Sequence, residues 1–256
     1  MSKKKVGLQM YTLREFLKTP EDTAKTLKKV REIGYEVVQI SGCAVKDMKL
    51  LRKLVDDAGL ISNSVHENYN RIVKETEAFI EDCKIMGYTT AAVPWLGEEF
   101  RSLDGYARAA EEMTRAGEKL RKNGIILTYH NHEFEFERYG DKIGLEILYL
   151  KADAKYLQSE IDTYWVQFGG ADPAEWILRM KGRAPIVHLK DMSIKPGRKQ
   201  IMVPIGEGNL NWKRIFEALR KVDTKFYYVE QDDCNGEDPF ESCRRSLVNL
   251  KKMGVE

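Results

Sequence analysis

Four times in the first half of the chain an amphipathic stretch runs into a glycine and then into a short apolar segment. E-D-T-A-K-T-L-K-K-V-R-E-I (21–33) stops at Gly34 before V-V-Q-I (37–40), and M-K-L-L-R-K-L-V-D-D-A (48–58) stops at Gly59 before I-S-N-S-V (61–65). The stretch 71–86 stops at Gly87 before T-T-A-A-V (89–93), and 106–123 stops at Gly124 before I-I-L-T-Y (125–129). A glycine just past a helix end suits the left-handed cap that turns the chain back. Helices alternating with strands at this spacing predict a parallel sheet.

The same pattern continues downstream. Strands are expected at 157–161, 185–189 and 226–229, helices at 143–152, 172–181, 211–221 and 239–252, and V-G-L-Q-M (6–10) supplies a first strand. Eight βα units in 256 residues have the size and count of a (β/α)8 TIM barrel, here one domain over 1–256. A doubly wound sheet would call for a G-x-G-x-x-G turn after the first strand, and that motif is absent.

Charge narrows the partners. Forty-two basic and 40 acidic residues leave a net charge of +2, which gives no electrostatic case for nucleic acid or a membrane surface. Cys43, Cys83, Cys234 and Cys243 are scattered without a C-x-x-C pair and read as reduced thiols. The basic start leads into only about five apolar residues, shorter than a signal-peptide core, and no apolar run approaches the roughly 20 residues that span a bilayer. A cytoplasmic protein acting on a small molecule is the expectation.

In such barrels the active site lies at the C-terminal strand ends, and the chain's four histidines all fall there. His66 follows the third strand, His130 and His132 end the fifth in T-Y-H-N-H-E-F-E-F-E (128–137), and His188 sits near the end of the seventh. Alternation in L-Q-S-E-I-D (157–162) turns Gln158, Glu160 and Asp162 into the barrel, with Asp162 nearest the rim. Glu230 ends the eighth strand on the face of Tyr228, and H-L-K-D (188–191) sets His188 beside Lys190 in sequence. Buried carboxylates that converge repel unless a cation holds them or one stays protonated. Oxygen and imidazole donors suit Mn²⁺, Zn²⁺, Co²⁺ or Mg²⁺; an acid–base layer filling the barrel, with Glu160 in it, is the competing reading.

The segments G-L-Q-M-Y-T-L-R (7–14), Y-H-N-H-E-F-E-F (129–136), E-I-D-T-Y-W-V (160–166), I-V-H-L-K-D-M (186–192) and Y-V-E-Q-D (228–232) resemble the sugar phosphate isomerase/epimerase family of xylose isomerase-like TIM barrels. That group includes ketose 3-epimerases, inosose dehydratase and endonuclease IV. The resemblance implies a divalent metal held by Glu, Asp, His and Glu from strands five to eight, and Asp162, His188 and Glu230 match the last three. Many relatives end strand five in E-N-H, whereas here H-N-H puts His130 in the glutamate's place. Glu135 is expected to fold back over the barrel mouth as the first ligand, which needs a bend or bulge after His132. Were it solvent-facing, His130 would replace it.

By the same resemblance the reaction is proton abstraction beside a carbonyl of a keto-sugar or related polyol derivative. Glu135 and Glu230 are the acid/base pair, with His132 an alternative base. His66, His130 and Lys190 contact the substrate, and Gln9 and Trp95 line the pocket together with Tyr11, Arg14, Glu67 and Asn131. Barrels of this group often pair, so a homodimer is a further expectation. A dehydratase of the inosose type would use the same site, and a non-catalytic sugar-binding barrel is the other alternative. An endonuclease of the fourth type would need more histidines. A phosphate on the substrate would meet the basic loop 190–200 or the glycines of I-G-E-G-N (205–209), which otherwise serve as turn residues.

Overall fold

In the computed structural model, which describes residues 5–255, the four punctuating glycines all take left-handed backbone. Their φ angles are 114° at Gly34, 67° at Gly59, 73° at Gly87 and 78° at Gly124. A side chain would be strained there, so glycine is what lets each helix stop and the chain re-enter the sheet. The barrel strands are β1 (Lys5–Gln9), β2 (Val37–Ile40), β3 (Ile61–His66), β4 (Thr90–Val93), β5 (Ile126–His130), β6 (Leu157–Asp162), β7 (Ile186–Leu189) and β8 (Phe226–Val229). All pair in parallel with their sequence neighbours, and β8 closes on β1. With helices between the strands this is the expected (β/α)8 TIM barrel. No helix of the described residues is long and apolar enough to cross a membrane.

Most expected helices recur to within a few residues, with two departures. The stretch 71–86 is two helices, Tyr69–Lys74 and Thr76–Met86, broken at Glu75. The stretch after β6 first forms the short helix Thr163–Phe168 and only then Pro173–Arg179. Two antiparallel hairpins stand outside the barrel, Arg138–Tyr139 with Lys142–Ile143 and Asp191–Lys195 with Lys199–Val203. The second turns at Gly197 and Arg198, both at positive φ.

Strand alternation divides the core. Leu8, Val38, Leu127, Ile161, Val187 and Val229 are buried in the large cluster that joins strands and helices. A fully buried side chain of this kind stabilises by about 1.5–3 kcal/mol. Inside the barrel, Val37, Ile186 and Tyr228 close the N-terminal end. Gly7 makes room for Tyr228, because a Cβ at that position would lie 2.6 Å from the tyrosine ring. Above this plug the interior turns polar: Gln9, Gln39, Ser64, Thr128, Glu160 and His188 are all fully buried.

Candidate active site

Glu160 is the hub of that polar layer. Its carboxylate faces His66 Nε2 at 2.6 Å and His188 Nε2 at 2.7 Å, and accepts from Gln39 Nε2 at 3.1 Å and Thr128 Oγ1 at 3.0 Å. Burial would raise its pKa, but His188 and His66 outweigh that and hold it well below the usual carboxylate range. His188 Nε2 meets a second acceptor, Gln39 Oε1, at 2.7 Å, and Gln9 Nε2 donates to that same oxygen at 2.7 Å. With only acceptors in front of it, Nε2 carries the proton, and Nδ1 is the nitrogen presented to the barrel mouth. Gln9, expected at the pocket, is thus a member of this buried layer.

One layer higher, one potential ligand atom from each of His130, Asp162, His188 and Glu230 lies within 4.8 Å of the others. His130 Nε2 is 3.2 Å from Asp162 Oδ2, His188 Nδ1 is 2.9 Å from Glu230 Oε2, and His188 Nδ1 is 3.9 Å from Asp162 Oδ2. Ligands of one small divalent ion, each about 2.0–2.2 Å from it, sit about 3–4 Å apart, so these separations suit such an ion. Asp162 is aimed by its surroundings. It caps the helix Thr163–Phe168, where Oδ1 accepts the Trp165 N–H at 3.0 Å, and its own N–H donates to Asn131 Oδ1 at 3.1 Å. Oδ2 is left to face the cluster.

Charge supports a cation here. Lys190, 1% exposed, has Nζ 3.2 Å from Asp162 Oδ2, 2.9 Å from Glu230 Oε2 and 3.0 Å from Asp232 Oδ2. Burial works against ionising Asp162 and Glu230, yet Lys190 together with the neighbouring histidines lowers both pKa values. For His188 burial opposes the charged ring, but Glu160 and Glu230 push its pKa up to about 10. Four carboxylates, Glu160, Asp162, Glu230 and Asp232, therefore outnumber the Lys190 ammonium and the His188 ring, so negative charge is in excess even with that ring protonated, and more so once Nδ1 gives up its proton to bind an ion. A divalent ion would offset that excess, and two carboxylates with two imidazoles are suitable donors for Mn²⁺, Zn²⁺, Co²⁺ or Mg²⁺.

Above the cluster opens a pocket of about 420 Å³ whose walls include Tyr11, Arg14, Trp95, His132, Lys190 and Glu230. Trp95 is 48% exposed, with Phe134 edge-on at 6.1 Å and the Arg101 guanidinium over its ring at 5.1 Å. His132 stacks on Phe134 and leans on Trp165, and burial, with His130 and the Lys190 ammonium nearby, keeps its pKa well below the ordinary value. His66 lines the same pocket, and its pKa is likewise lowered by burial despite Glu160.

Glu135 takes a different course from the one expected. The chain does bend after His132, into a turn over Phe134–Phe136, but the turn carries the carboxylate to the outer side of β5. There Oε1 accepts the Tyr129 hydroxyl and Oε2 accepts the His132 backbone N–H at 2.8 Å. Tyr129 precedes His130 and so points away from the barrel axis; Glu135 follows it and is fully buried, outside the cluster that His130 joins. Burial raises its pKa to about 7.

Two further carboxylates matter to the site. Asp232 shares the face of Tyr228 and Glu230 by simple alternation, a signal that was present. Asp191 is subtler: its buried carboxylate accepts the backbone N–H groups of Met192, Gly206, Gly208 and Leu210 and the Trp212 indole N–H, at 2.7–3.3 Å. The glycine-rich loop considered for phosphate is therefore wrapped around an internal anion.

A family model described as xylose isomerase-like TIM barrel matches residues 27–250. The chain belongs to this family. Among solved structures, this xylose isomerase-like barrel is similar to a sugar phosphate isomerase/epimerase from Parabacteroides distasonis, at 27% identity over 100% of this chain and 96% of that one, with a TM-score of 0.82. It also resembles a xylose isomerase-like TIM barrel protein from Mycobacterium smegmatis in complex with magnesium (16% identity, 98% of each chain, TM-score 0.75). An L-ribulose 3-epimerase aligns at 16% identity over 98% of this chain and 94% of that one, with a TM-score of 0.71. The last two similarities speak for the fold alone. Among curated proteins no significant match was found.

Proposed function

We propose that the protein is a divalent-metal-dependent isomerase or epimerase that moves a proton beside the carbonyl of a keto-sugar. The observation that carries this reading is the convergence of His130, Asp162, His188 and Glu230 directly beneath an open pocket. These four residues would hold the ion, with His130 in the place first given to Glu135. When bound, the ion would polarise the substrate carbonyl and stabilise the negative charge that develops on its oxygen.

The chain's own groups supply the proton transfers. Glu230, kept ionised by Lys190 and His188, faces the pocket from the end of β8, and His132, kept neutral by burial, faces it from just beyond β5. Three strand steps in a ring of eight put these two bases nearly across the mouth from one another. One takes a proton from the carbon and the other returns one to the opposite face, as inversion at that carbon requires. Lys190 is placed to donate to a substrate oxygen, the neutral His66, whose Nε2 proton faces Glu160, can accept a substrate hydroxyl on Nδ1, and the exposed face of Trp95 suits the C–H face of a sugar.

An unphosphorylated substrate fits best. Of the two cations lining the pocket, Lys190 is matched by three carboxylates and Arg14 donates to the carbonyls of Tyr11 and Asp232, at 3.0 Å each. The test is deuterium incorporation from D2O next to the carbonyl of keto-pentoses and keto-hexoses by Mn²⁺-loaded protein. Glu230→Gln and Asp162→Asn are each expected to reduce exchange by at least about 10²-fold. Full exchange in either variant, or none with any keto-sugar in the parent, would refute the assignment.

A further inference from the structure

Lys190 contacts more of the site than substrate binding requires. Its Nζ approaches Asp162 Oδ2 and Glu230 Oε2, and these are the same oxygens that face His130 Nε2 and His188 Nδ1. They are therefore the oxygens an ion held by the four-residue cluster would use. Its third partner, Asp232, lies on the pocket side, with a side chain 22% exposed, and takes the ammonium on both oxygens at 3.0 and 3.2 Å. The ammonium thus stands between two sets of anions, one that a metal ion would claim and one that it would not.

We propose that Lys190 is a built-in rival for the cation: in the metal-free protein its ammonium pairs with Asp162 and Glu230, and when a divalent ion enters it withdraws to Asp232. The inference rests on the metal-site reading above. An ammonium and a divalent ion cannot share one pair of carboxylate oxygens at close range without strong repulsion. Nor can buried carboxylates be left unpaired cheaply when no metal is bound. A lysine with a second perch within reach meets both conditions, keeping the site folded while empty and yielding it when filled. Asp232 has its own part in this, because it lowers the cost of moving the ammonium aside.

Removing either partner should shift metal affinity, and the two shifts have opposite signs. Lys190→Met is expected to bind Mn²⁺ about tenfold or more tightly than the parent, since like charges a few ångströms apart repel appreciably even under water's screening. Asp232→Asn is expected to bind it several-fold more weakly. A lysine with only a structural role would leave both variants impaired in the same direction. The experiment is a Mn²⁺ titration, followed by calorimetry or by the signal of free Mn²⁺, on the parent, Lys190→Met, Asp232→Asn and Asp162→Asn, with Lys190→Gln in reserve should the methionine variant not fold. Melting temperatures are measured with and without Mn²⁺, and metal-free Lys190→Met should melt below the parent while the loaded form recovers.

If the parent binds Mn²⁺ and Asp162→Asn does not, yet Lys190→Met binds it no better, the rivalry is overturned while the metal site stands. If the parent is silent and Lys190→Met gains a site, the rivalry is upheld in its strongest form. Silence in both overturns this inference together with the metal reading.

Discussion

Glu135 is buried against Tyr129 and His132, and this makes its ionisation a measurable load on the fold. Burial raises its pKa from 4.5 to about 7, although the Tyr129 hydroxyl and the His132 N–H both favour the charged form. Because the folded value lies above the unfolded one, the folded state holds the proton more tightly. Stability from this group is complete below about pH 4.5, drains away as pH rises through about 7, and is flat beyond. At about 1.4 kcal/mol per pH unit, the gap between those values caps the loss at about 3 kcal/mol. Glu135→Gln keeps the shape and cannot ionise: its carbonyl can accept the His132 N–H while its amide donates to the Tyr129 oxygen, whose hydroxyl rotates. The variant should therefore lie within about 1 kcal/mol of the parent at pH 4 and exceed it by up to about 3 kcal/mol at pH 8. Urea unfolding midpoints of both proteins, measured in chelator from pH 4 to pH 9, read this directly. A difference between the two that stays constant across that range would refute the reasoning, because it would mean that the carboxyl is not held protonated by the fold.

Two further substitutions test the scaffold under the site. His66 and His188 both face Oε1 of Glu160, so Glu160→Gln leaves them a neutral carbonyl in place of the carboxylate charge and should cost about 3–5 kcal/mol in unfolding free energy. If urea midpoints do not move, Glu160 is not the hub described. Gly208→Ala would set a Cβ 2.3 Å from Asp191 Oδ1 and 2.4 Å from the Met192 carbonyl, so the loop 204–211 must give way, at about 1–3 kcal/mol. Limited proteolysis should then cut within that loop sooner than in the parent, and an unchanged pattern would count against the tight wrapping of the loop.

The barrel was legible because its signals are local. Glycines 34, 59, 87 and 124 mark helix ends through backbone conformation alone, and apolar runs mark strands without reference to anything distant. Asp162, His188 and Glu230 could be placed for the same reason, since period-two alternation along a known strand fixes which way each one faces. Glu135 escaped because it stands beyond the strand, where direction depends on the turn that Phe134–Phe136 forms and on a phenol, Tyr129, waiting behind β5. Plain alternation puts Glu135 on the Tyr129 side, where it is found; the expected fold-back over the barrel mouth is what misdirected it, although β5 does stop at His130 and the chain does turn. Asp191 escaped for a different reason: its five donors come from residues 192 to 212, and a lone aspartate after a strand gives no hint that a loop will close around it.

The polar layer in the barrel has a consequence for how this sequence can drift. Where a barrel is filled with aliphatic side chains, a leucine can become an isoleucine or a methionine one step at a time, each exchange absorbed by small movements nearby. Gln9, Gln39, Glu160 and His188 form a chain in which every donor is answered by a particular acceptor. Replacing one member strands its neighbours, so the acceptable changes at positions 9, 39, 160 and 188 are joint ones. Descendants of this chain should either retain the quartet whole or exchange it as a block, which makes the barrel's interior a slow clock compared with the helices that surround it.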